Sequence, residues 1–321
     1  MVQKILILES KDYNPEAISI YQRTGDTILG TTSLKEITSK ELVTTLVCRL
    51  KYYLDQTFLS QFPNLKYIVS PTTGLNHIDL SYCQEKKIEI VSLKGETDYL
   101  ASISSTSELA FALVLALVRK IIPGSNSVIL EGNWERNLFR GRELSALTLG
   151  LLGFGRLGLQ MLNFARAFNM PVIACDPFKN DEYFQLYNVE SYSQAELFAK
   201  ADIISVHVDY RKENENFITK KDFGILKKGS YFINTSRGEL VNETDLIWAL
   251  ENGYLEGAGV DVLADEHKTE LIHKKKLVQY ARSHTNLIIT PHIGGCTIDG
   301  MQNTELFIAQ KYLRFLKQNL Q

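Results

Sequence analysis

Residues 148–158 read TLGLLGFGRLG, and this stretch decides the fold of the chain. Its apolar first half, Thr148–Leu152, predicts a buried strand, and the amphipathic run Leu159–Phe168 predicts a helix. Between them, glycines at the spacing GxGxxG predict a tight turn. A strand, a glycine-rich turn and a helix in immediate succession are typical of the first unit of a doubly wound parallel sheet.

Each glycine of this turn has a physical role. Gly153 permits the tight turn, Gly155 lets the backbone approach a pyrophosphate, and Gly158 allows the helix to pack closely on the strand. The start of the helix adds free N–H groups and the positive end of the helix dipole, both of which favour phosphate. The turn therefore predicts a dinucleotide site, and the alternative is a glycine-rich turn without a ligand.

An aspartate follows the next predicted strand. Asp176 comes directly after Pro171–Cys175, 18 residues beyond Gly158. A carboxylate at that position can accept hydrogen bonds from an adenosine ribose and would repel a 2′-phosphate, which favours NAD over NADP. The alternative is a turn or cap role for Asp176 before Pro177.

Apolar runs alternate with helical segments along the rest of the chain. After the turn, the predicted strands are Pro171–Cys175, Asp202–Val208, Ser230–Asn234, Ala258–Val262 and Leu287–Thr290. Before it, they are Lys4–Leu8, Thr44–Cys48, Lys66–Val69 and Ile88–Val91. The predicted helices include Asn14–Thr24, Ser104–Arg119, Gln194–Lys200, Lys220–Leu226, Glu243–Glu251 and Gly300–Leu320. Pro123-Gly124 is expected to stop the second of these helices. The alternation predicts an α/β chain with parallel sheets, in which the strands from residue 148 onward form a six-strand doubly wound sheet.

Three polar residues follow three of these strands, at the sheet edge where open α/β sheets bind ligands. Arg237 can clamp a carboxylate through two parallel hydrogen bonds. Glu266 beside His292 would favour the imidazolium form and fix the ring tautomer, which makes the histidine a usable acid near neutral pH. Taken alone, each has an ordinary alternative: a surface arginine, a solvated glutamate or a structural histidine. The combination is what indicates a site.

Composition and charge restrict the class of protein. The chain has 321 residues, 45% of them hydrophobic, and a formal net charge of −2, which excludes a disordered chain and argues against a dedicated nucleic-acid binder. Its four cysteines have no CxxC spacing, so we expect reduced thiols and no metal site. The apolar runs are too short for a signal peptide or a bilayer span, and we therefore expect a soluble, cytoplasmic protein with no membrane partner.

Five segments in this order resemble the D-isomer-specific 2-hydroxyacid dehydrogenases, the family of 3-phosphoglycerate dehydrogenase and glyoxylate/hydroxypyruvate reductase. The segments are GLLGFGRLG at 150–158, ADIISVH at 201–207, INTSRG at 233–238, GAGVDV at 257–262 and TPHIGG at 290–295. The resemblance covers nearly the whole chain. It implies a doubly wound NAD-binding domain at residues 101–296, inserted into a smaller, flavodoxin-like substrate domain made of residues 1–100 and 297–321.

The resemblance also implies a reaction and its residues. Arg237 would bind the carboxylate of a 2-oxo acid and polarise its carbonyl, the nicotinamide of NAD would deliver hydride, and His292 would donate the proton while Glu266 supports its charge. The implied cofactor contacts come from Gly153, Gly155, Arg156, Leu157, Gly158, Asp176, Thr235, Ser236, Asp261 and Gly294. The implied substrate contacts come from Arg237 and from the loop residues Thr72, Thr73 and Gly74.

The chain departs from the family pattern in and near that loop. Thr72 stands where a glycine is usual, and Asn76-His77 stand where Asp-Asn is usual. Arg49 aligns with an arginine that binds substrate phosphate in phosphoglycerate dehydrogenases, and the alternative is a structural arginine. Because the sequence ends at Gln321, we do not expect the C-terminal regulatory domain of some phosphoglycerate dehydrogenases.

The expected function is the interconversion of a small anionic D-2-hydroxy acid and its 2-oxo acid, with 3-phosphoglycerate, hydroxypyruvate and glyoxylate as candidates. An alternative is an NAD(H)-sensing binding protein, like the corepressors of the same family. An amino-acid dehydrogenase would need a lysine in the site, and none lies in the three catalytic segments. The family implies a homodimer through the cofactor domain, with the helix from Ser104 and residues 126–144, including Trp134 and Phe139, as contact surfaces.

Overall fold

The chain consists of two compact units, each built on its own parallel sheet. The computed structural model describes residues 3–30, 37 and 39–319, so that Leu320 of the predicted last helix lies outside the described residues. The first unit is Met1–Ile103 with Thr297–Gln321, and the second is Ser104–Cys296. Apolar side chains pack on both faces of each sheet, which explains why most strands are continuous apolar runs.

The first unit has five strands in the order β2-β1-β3-β4-β5, all parallel. The strands are β1 Lys4–Ile7, β2 Asp26–Leu29, β3 Thr45–Val47, β4 Tyr67–Ser70 and β5 Glu89–Ser92. The helices are α1 Pro15–Thr24, α2 Gln56–Leu59, α3 Leu80–Glu85, α4 Thr97–Leu100 and the last helix of the chain, Ile298–Asn319. The strand order 2-1-3-4-5 is that of flavodoxin-like folds, which confirms the predicted architecture of this part of the chain.

The buried strand β1 separates two layers of the first unit. Ile5 and Ile7 pack on one face, in the same core as Tyr21 of α1 and Tyr312 of the last helix. Leu6 packs in the core on the opposite face. The edge strand β2 was not predicted, because its half-exposed residues carry no continuous apolar signal.

The second unit has seven parallel strands in the order β12-β11-β10-β9-β6-β7-β8. The strands are β6 Leu149–Leu152, β7 Val172–Cys175, β8 Glu190–Ser191, β9 Ile203–Val206, β10 Ser230–Asn234, β11 Leu255–Val260 and β12 Leu287–Ile289. The helices are α5 Ser105–Val118, α6 Ile121–Glu131, α7 Arg156–Ala167, α8 Asp181–Leu186, α9 Gln194–Lys200, α10 Lys220–Phe223, α11 Glu243–Glu251 and α12 Lys276–Ser283. The six predicted strands are confirmed, and the missed strand, β8, is two exposed residues at the sheet edge. The strand order reverses between β6 and β9, which is where doubly wound sheets bind ligands.

The helical region after residue 104 differs from its prediction. The helix α5 ends at Val118, and Pro123-Gly124 lie inside the next helix, α6, so the expectation that they stop α5 was wrong. Proline is tolerated there because it lies in the first turn, where its missing N–H would have no helical partner. The break between the two helices is at Lys120, whose φ of 52° is left-handed.

Among the described residues, one helical stretch, Thr97–Val118, is long and apolar enough by length and composition alone to cross a membrane. In the structure this stretch is α4 and α5 with non-helical residues between them, and the 14 residues of α5 extend over only about 21 Å. The helix α5 packs on β10, β11 and α7, and Leu113, Val114 and Leu117 are buried there. Its apolar composition is therefore that of a core helix of the second unit.

Candidate active site

The glycine turn after β6 is shaped by a close backbone approach. Gly153 has a φ of 96°, and a Cβ placed there would lie 2.6 Å from the carbonyl oxygen of His207. Only glycine fits at this position. At Gly155, which precedes α7, a Cβ would meet nothing within 4 Å, so open space adjoins the start of the helix. The turn thus leaves the N-terminus of α7, which begins at Arg156 and Leu157, accessible to a ligand.

Asp176 is fixed beside this turn. Its Oδ2 accepts a hydrogen bond from the N–H of Phe154 at 2.9 Å, and its Oδ1 accepts one from the N–H of Phe178 at 3.0 Å. The second bond is the turn role that the sequence offered as an alternative. The first bond places the carboxylate at the glycine turn, where the ribose role requires it, so the two roles are compatible.

The hydrogen bonding of the side chains after β10 indicates whether a dinucleotide fits the site. The Oγ1 atom of Thr235 is buried and has no hydrogen-bond partner within the described part of the chain. A buried hydroxyl without a partner is costly, and a bound polar ligand would satisfy it. The side chain of Ser236, in contrast, donates to the carbonyl of Val206 at 2.9 Å. An open helix start, a fixed carboxylate and an unsatisfied hydroxyl together fit a nicotinamide dinucleotide. Of the predicted contacts, Gly155, Asp176 and Thr235 would hold it.

His292 and Glu266 form a pair in the second unit. The Nδ1–H of His292 donates to the Oε1 of Glu266, and the Oε2 of Glu266 accepts the N–H of Leu263 at 3.2 Å. A carboxylate on Nδ1 fixes the tautomer and leaves Nε2 to exchange a proton. Nε2 has no hydrogen-bond partner in residues 3–30, 37 and 39–319, and the His292 side chain is 25% exposed.

The charge state of Glu266 follows from its surroundings. Burial has the largest single effect on its pKa and raises it, while the hydrogen bond and the charge of His292 lower it. The N–H of Leu263 and the positive charge of Arg237 lower the pKa further, so that it lies below its usual range. Glu266 is therefore ionised throughout the neutral pH range and can stabilise an imidazolium at His292.

Arg237 is held in a turn after β10. The Asn234 side chain closes this turn: its Nδ2 donates to the carbonyl of Arg237 at 2.9 Å, and its Oδ1 accepts the N–H of Ser236 at 3.0 Å. At Gly238, a Cβ would lie 2.1 Å from the backbone of Leu263 and Ala264, so the absence of a side chain lets that segment pass. The close approach brings the Arg237 turn alongside the segment that carries Glu266.

Asp261 has a role that the sequence did not predict. This residue is 1% exposed, and its carboxylate accepts hydrogen bonds from Thr290 Oγ1 at 2.5 Å, Ile293 N at 2.9 Å and Gly294 N at 2.7 Å. Burial raises its pKa, although these bonds counteract part of the effect. Asp261 thus braces the segment on which His292 adopts a left-handed backbone with a φ of 53°. A contact of Asp261 with the nicotinamide stays a prediction.

Two glutamates that support the site, and one threonine that lies beside it, were missed. Glu243 accepts the N–H of Ala264 at 2.9 Å, and Glu239 accepts the N–H of Asp265 at 3.2 Å, so both hold the segment before Glu266. At the start of α5, Thr106 lies beside Gly294, where a Cβ would be 3.2 Å from its methyl group. No local sequence pattern identifies these three residues, because each lies beside a segment that is distant from it in sequence.

In the first unit, the predicted substrate loop follows β4. The backbone N–H groups of Thr73, Gly74 and Leu75 donate to no acceptor in the part of the chain that the structure describes. Consecutive free N–H groups in a loop are suited to binding an anion. The loop is therefore chemically suited to the carboxylate contact that the resemblance implies, and its role stays a prediction.

Arg49 is occupied within the first unit. Its Nε donates to Glu305 Oε1 at 2.7 Å, and Glu305 is 1% exposed. Its two terminal nitrogens approach the carbonyls of Lys11 and Asp12 at 3.3 Å, and the guanidinium lies 5.0 Å from the centre of the Tyr13 ring. A guanidinium paired with a buried carboxylate has little left to offer a phosphate. The geometry favours the structural alternative for Arg49.

The chain is similar in sequence and in structure to known dehydrogenases. The sequence profile described as "D-isomer specific 2-hydroxyacid dehydrogenase, NAD binding domain" matches residues 111–294. Hydroxypyruvate reductase of Thermotoga maritima is 33% identical over 274 residues, which cover 85% of each chain. The crystal structure of D-lactate dehydrogenase from Aquifex aeolicus, complexed with NAD and lactic acid, matches with a TM-score of 0.82 at 27% identity, covering 99% of this chain and 96% of that one.

Proposed function

Since the chain belongs to the D-isomer-specific 2-hydroxyacid dehydrogenase family and has its NAD-binding domain, we propose that it reduces a small, unphosphorylated 2-oxo acid to the D-2-hydroxy acid. The proposed substrates are hydroxypyruvate, which would give D-glycerate, and glyoxylate, whose product glycolate has no stereocentre. The observation that carries the proposal is the His292–Glu266 pair, which leaves His292 Nε2 available for a proton. We propose Arg237, Glu266 and His292 as the catalytic residues.

The three catalytic residues have distinct roles in the proposed reaction. NADH, when bound, supplies the hydride that is added to the carbonyl carbon. The Arg237 guanidinium binds the substrate carboxylate and polarises the neighbouring carbonyl. The His292 Nε2–H donates a proton to the carbonyl oxygen, and the ionised Glu266 stabilises the imidazolium before transfer. In the oxidation direction, neutral His292 accepts the proton at the same nitrogen.

The choice of an unphosphorylated substrate depends on Arg49. Its pairing with Glu305 occupies the one arginine that the family resemblance suggested for a phosphate group, which supports an unphosphorylated substrate. The similarity to the Thermotoga maritima hydroxypyruvate reductase supports the same choice. NADH oxidation by the purified protein, measured with hydroxypyruvate, glyoxylate, pyruvate and 3-phosphohydroxypyruvate, tests it. Turnover restricted to 3-phosphohydroxypyruvate would contradict the proposed substrate class, and no turnover with any of the four would contradict the proposed reaction.

The proposed preference for NAD over NADP can be tested by replacing Asp176. Replacement Asp176→Asn removes the negative charge that would repel a 2′-phosphate while keeping a side chain that can bond the Phe154 N–H. We expect the ratio of kcat/KM for NADPH to that for NADH to rise about tenfold. Glu182→Gln, an exposed carboxylate on α8, is the matched control and should leave the ratio unchanged. An unchanged ratio in Asp176→Asn would show that Asp176 does not select the cofactor.

We also propose a homodimer that forms through the second unit. Large apolar side chains of α6 and the following segment are exposed, among them Ile129 at 74%, Leu130 at 77%, Trp134 at 86% and Leu138 at 61%. These exposed side chains lie within ten residues of one another in the sequence, and a second copy of the same surface would remove them from water.

The dimer is tested by introducing negative charges on this surface. Trp134→Glu combined with Leu130→Glu should convert the protein to a monomer, because burying two carboxylates in an apolar interface is costly. Leu186→Glu, at a residue 75% exposed on α8, is the control and should leave the mass unchanged. Light scattering coupled to size exclusion measures the mass. Elution of the unaltered protein as a monomer is the result that rules the dimer out.

A further inference from the structure

The substrate loop after β4 contains a chain of side-chain hydrogen bonds. Thr72 Oγ1 donates to the carbonyl of Gly74 at 2.9 Å and lies 2.8 Å from Ser70 Oγ. Ser70 Oγ in turn lies 3.4 Å from Nε2 of His77. Ser70 and His77 are buried, at 0% and 8% exposure. Thr72 and His77 are two of the positions at which the chain departs from the family pattern.

Counting the available hydrogens shows which group donates in each of these hydrogen bonds. A hydroxyl has one hydrogen, and that of Thr72 is used on the Gly74 carbonyl, which can only accept. Ser70 must therefore donate to Thr72. Its own hydrogen is then used, so the contact with His77 requires that the histidine donate from Nε2. The Sγ of Cys48, 3.9 Å from the same nitrogen, is a further weak acceptor for that N–H.

The relay from His77 through Ser70 and Thr72 ends on the carbonyl of Gly74. It fixes this carbonyl to the Thr72 side chain, while the N–H groups of Thr73, Gly74 and Leu75 remain without acceptors in the described residues. A loop whose donors are held in place before a ligand arrives loses less entropy on binding it. A glycine at position 72 could not make this connection.

We propose that Thr72, Ser70 and His77 are positioning residues that preorganise the loop to bind the substrate carboxylate. The proposal rests on the proposed function and on the carboxylate contact that the family resemblance implies for this loop. The three side chains act through the loop backbone and take no part in proton or hydride transfer. Removing the relay should therefore weaken binding of the 2-oxo acid without slowing the saturated enzyme.

The test compares two substitutions of one residue. Thr72→Val keeps the shape of the side chain and removes both hydrogen bonds, and we expect KM for hydroxypyruvate to rise about tenfold with kcat and Kd for NADH within about twofold of wild type. Thr72→Ser restores the hydroxyl and should bring KM most of the way back. An unchanged KM in Thr72→Val, or a failure of Thr72→Ser to recover it, would overturn the proposal.

A second pair of variants, at His77, tests the first residue of the relay. It also keeps the proposal testable if Thr72→Val fails to fold. His77→Gln retains an N–H donor, whereas His77→Leu does not, so only the leucine variant should raise KM for hydroxypyruvate. Equal KM values in the two variants would contradict a relay that begins at His77. A wild-type protein that reduces none of the 2-oxo acids overturns the proposed function and this proposal with it, whereas an active wild type with an unaffected Thr72→Val variant overturns this proposal alone.

Discussion

Replacement His292→Asn is expected to lower kcat for hydroxypyruvate reduction by about 10²- to 10⁴-fold, the usual contribution of a general acid. Asparagine tolerates the left-handed backbone that His292 adopts, with its φ of 53°, so the segment should keep its conformation. The amide has no hydrogen that it can transfer to the developing alkoxide at neutral pH. Turnover falls for that reason, while Kd for NADH should change by no more than about twofold.

The control for this prediction is His273→Asn, which alters an exposed histidine outside the site. Steady-state kinetics give kcat for both variants, and NADH fluorescence gives the binding constant. If His292→Asn turned over at the wild-type rate, His292 would not be the proton donor. If it lost NADH binding in parallel with turnover, a disturbed fold would explain the result, and thermal unfolding of the two variants would reveal it.

Replacement Arg237→Lys is expected to lower kcat/KM for hydroxypyruvate by about 10²-fold or more. Lysine keeps the positive charge but cannot form the two parallel hydrogen bonds that a guanidinium gives a carboxylate. The Arg237 backbone turn should persist, because Asn234 bonds to its carbonyl rather than to its side chain. Loss of the guanidinium should therefore act on the substrate and leave Kd for NADH largely unchanged.

Arg282→Lys, at an exposed arginine of α12, provides the matched control and should behave as wild type. Both hydroxypyruvate and pyruvate carry a carboxylate, but only hydroxypyruvate carries a hydroxyl group. Kinetics with the two acids therefore distinguish a contact of Arg237 with the carboxylate from a contact with the hydroxyl group. A shared carboxylate contact predicts losses of similar size for both substrates. A normal kcat/KM for Arg237→Lys with both acids would exclude Arg237 from carboxylate binding.

The sequence predicts the parts of the site that depend on strand ends. Arg237, Glu266 and His292 each follow a strand of one parallel sheet, and parallel strands bring their carboxyl ends to the same edge. The structure places Glu266 against His292 and within the electrostatic influence of Arg237. The glycine turn at Gly153 was equally predictable, because a local backbone constraint determines its residue type.

Contacts between distant segments could not be predicted in the same way. Arg49 pairs with Glu305, 256 residues away, and neither has a local pattern that identifies the other. The bracing role of Asp261 depends on the path of the segment after β12, which only the folded chain defines. The position of Pro123 inside α6 was missed because the same residue is common before and within a first helical turn.

The configuration of the product tests the central claim most directly. Purified protein is incubated with hydroxypyruvate and NADH, and the glycerate formed is resolved by chiral chromatography against the amount of NADH consumed. A D-2-hydroxyacid dehydrogenase predicts one D-glycerate for each NADH oxidised, with the same product from the much slower His292→Asn variant. Formation of L-glycerate, or no consumption of NADH with any 2-oxo acid, would contradict the account.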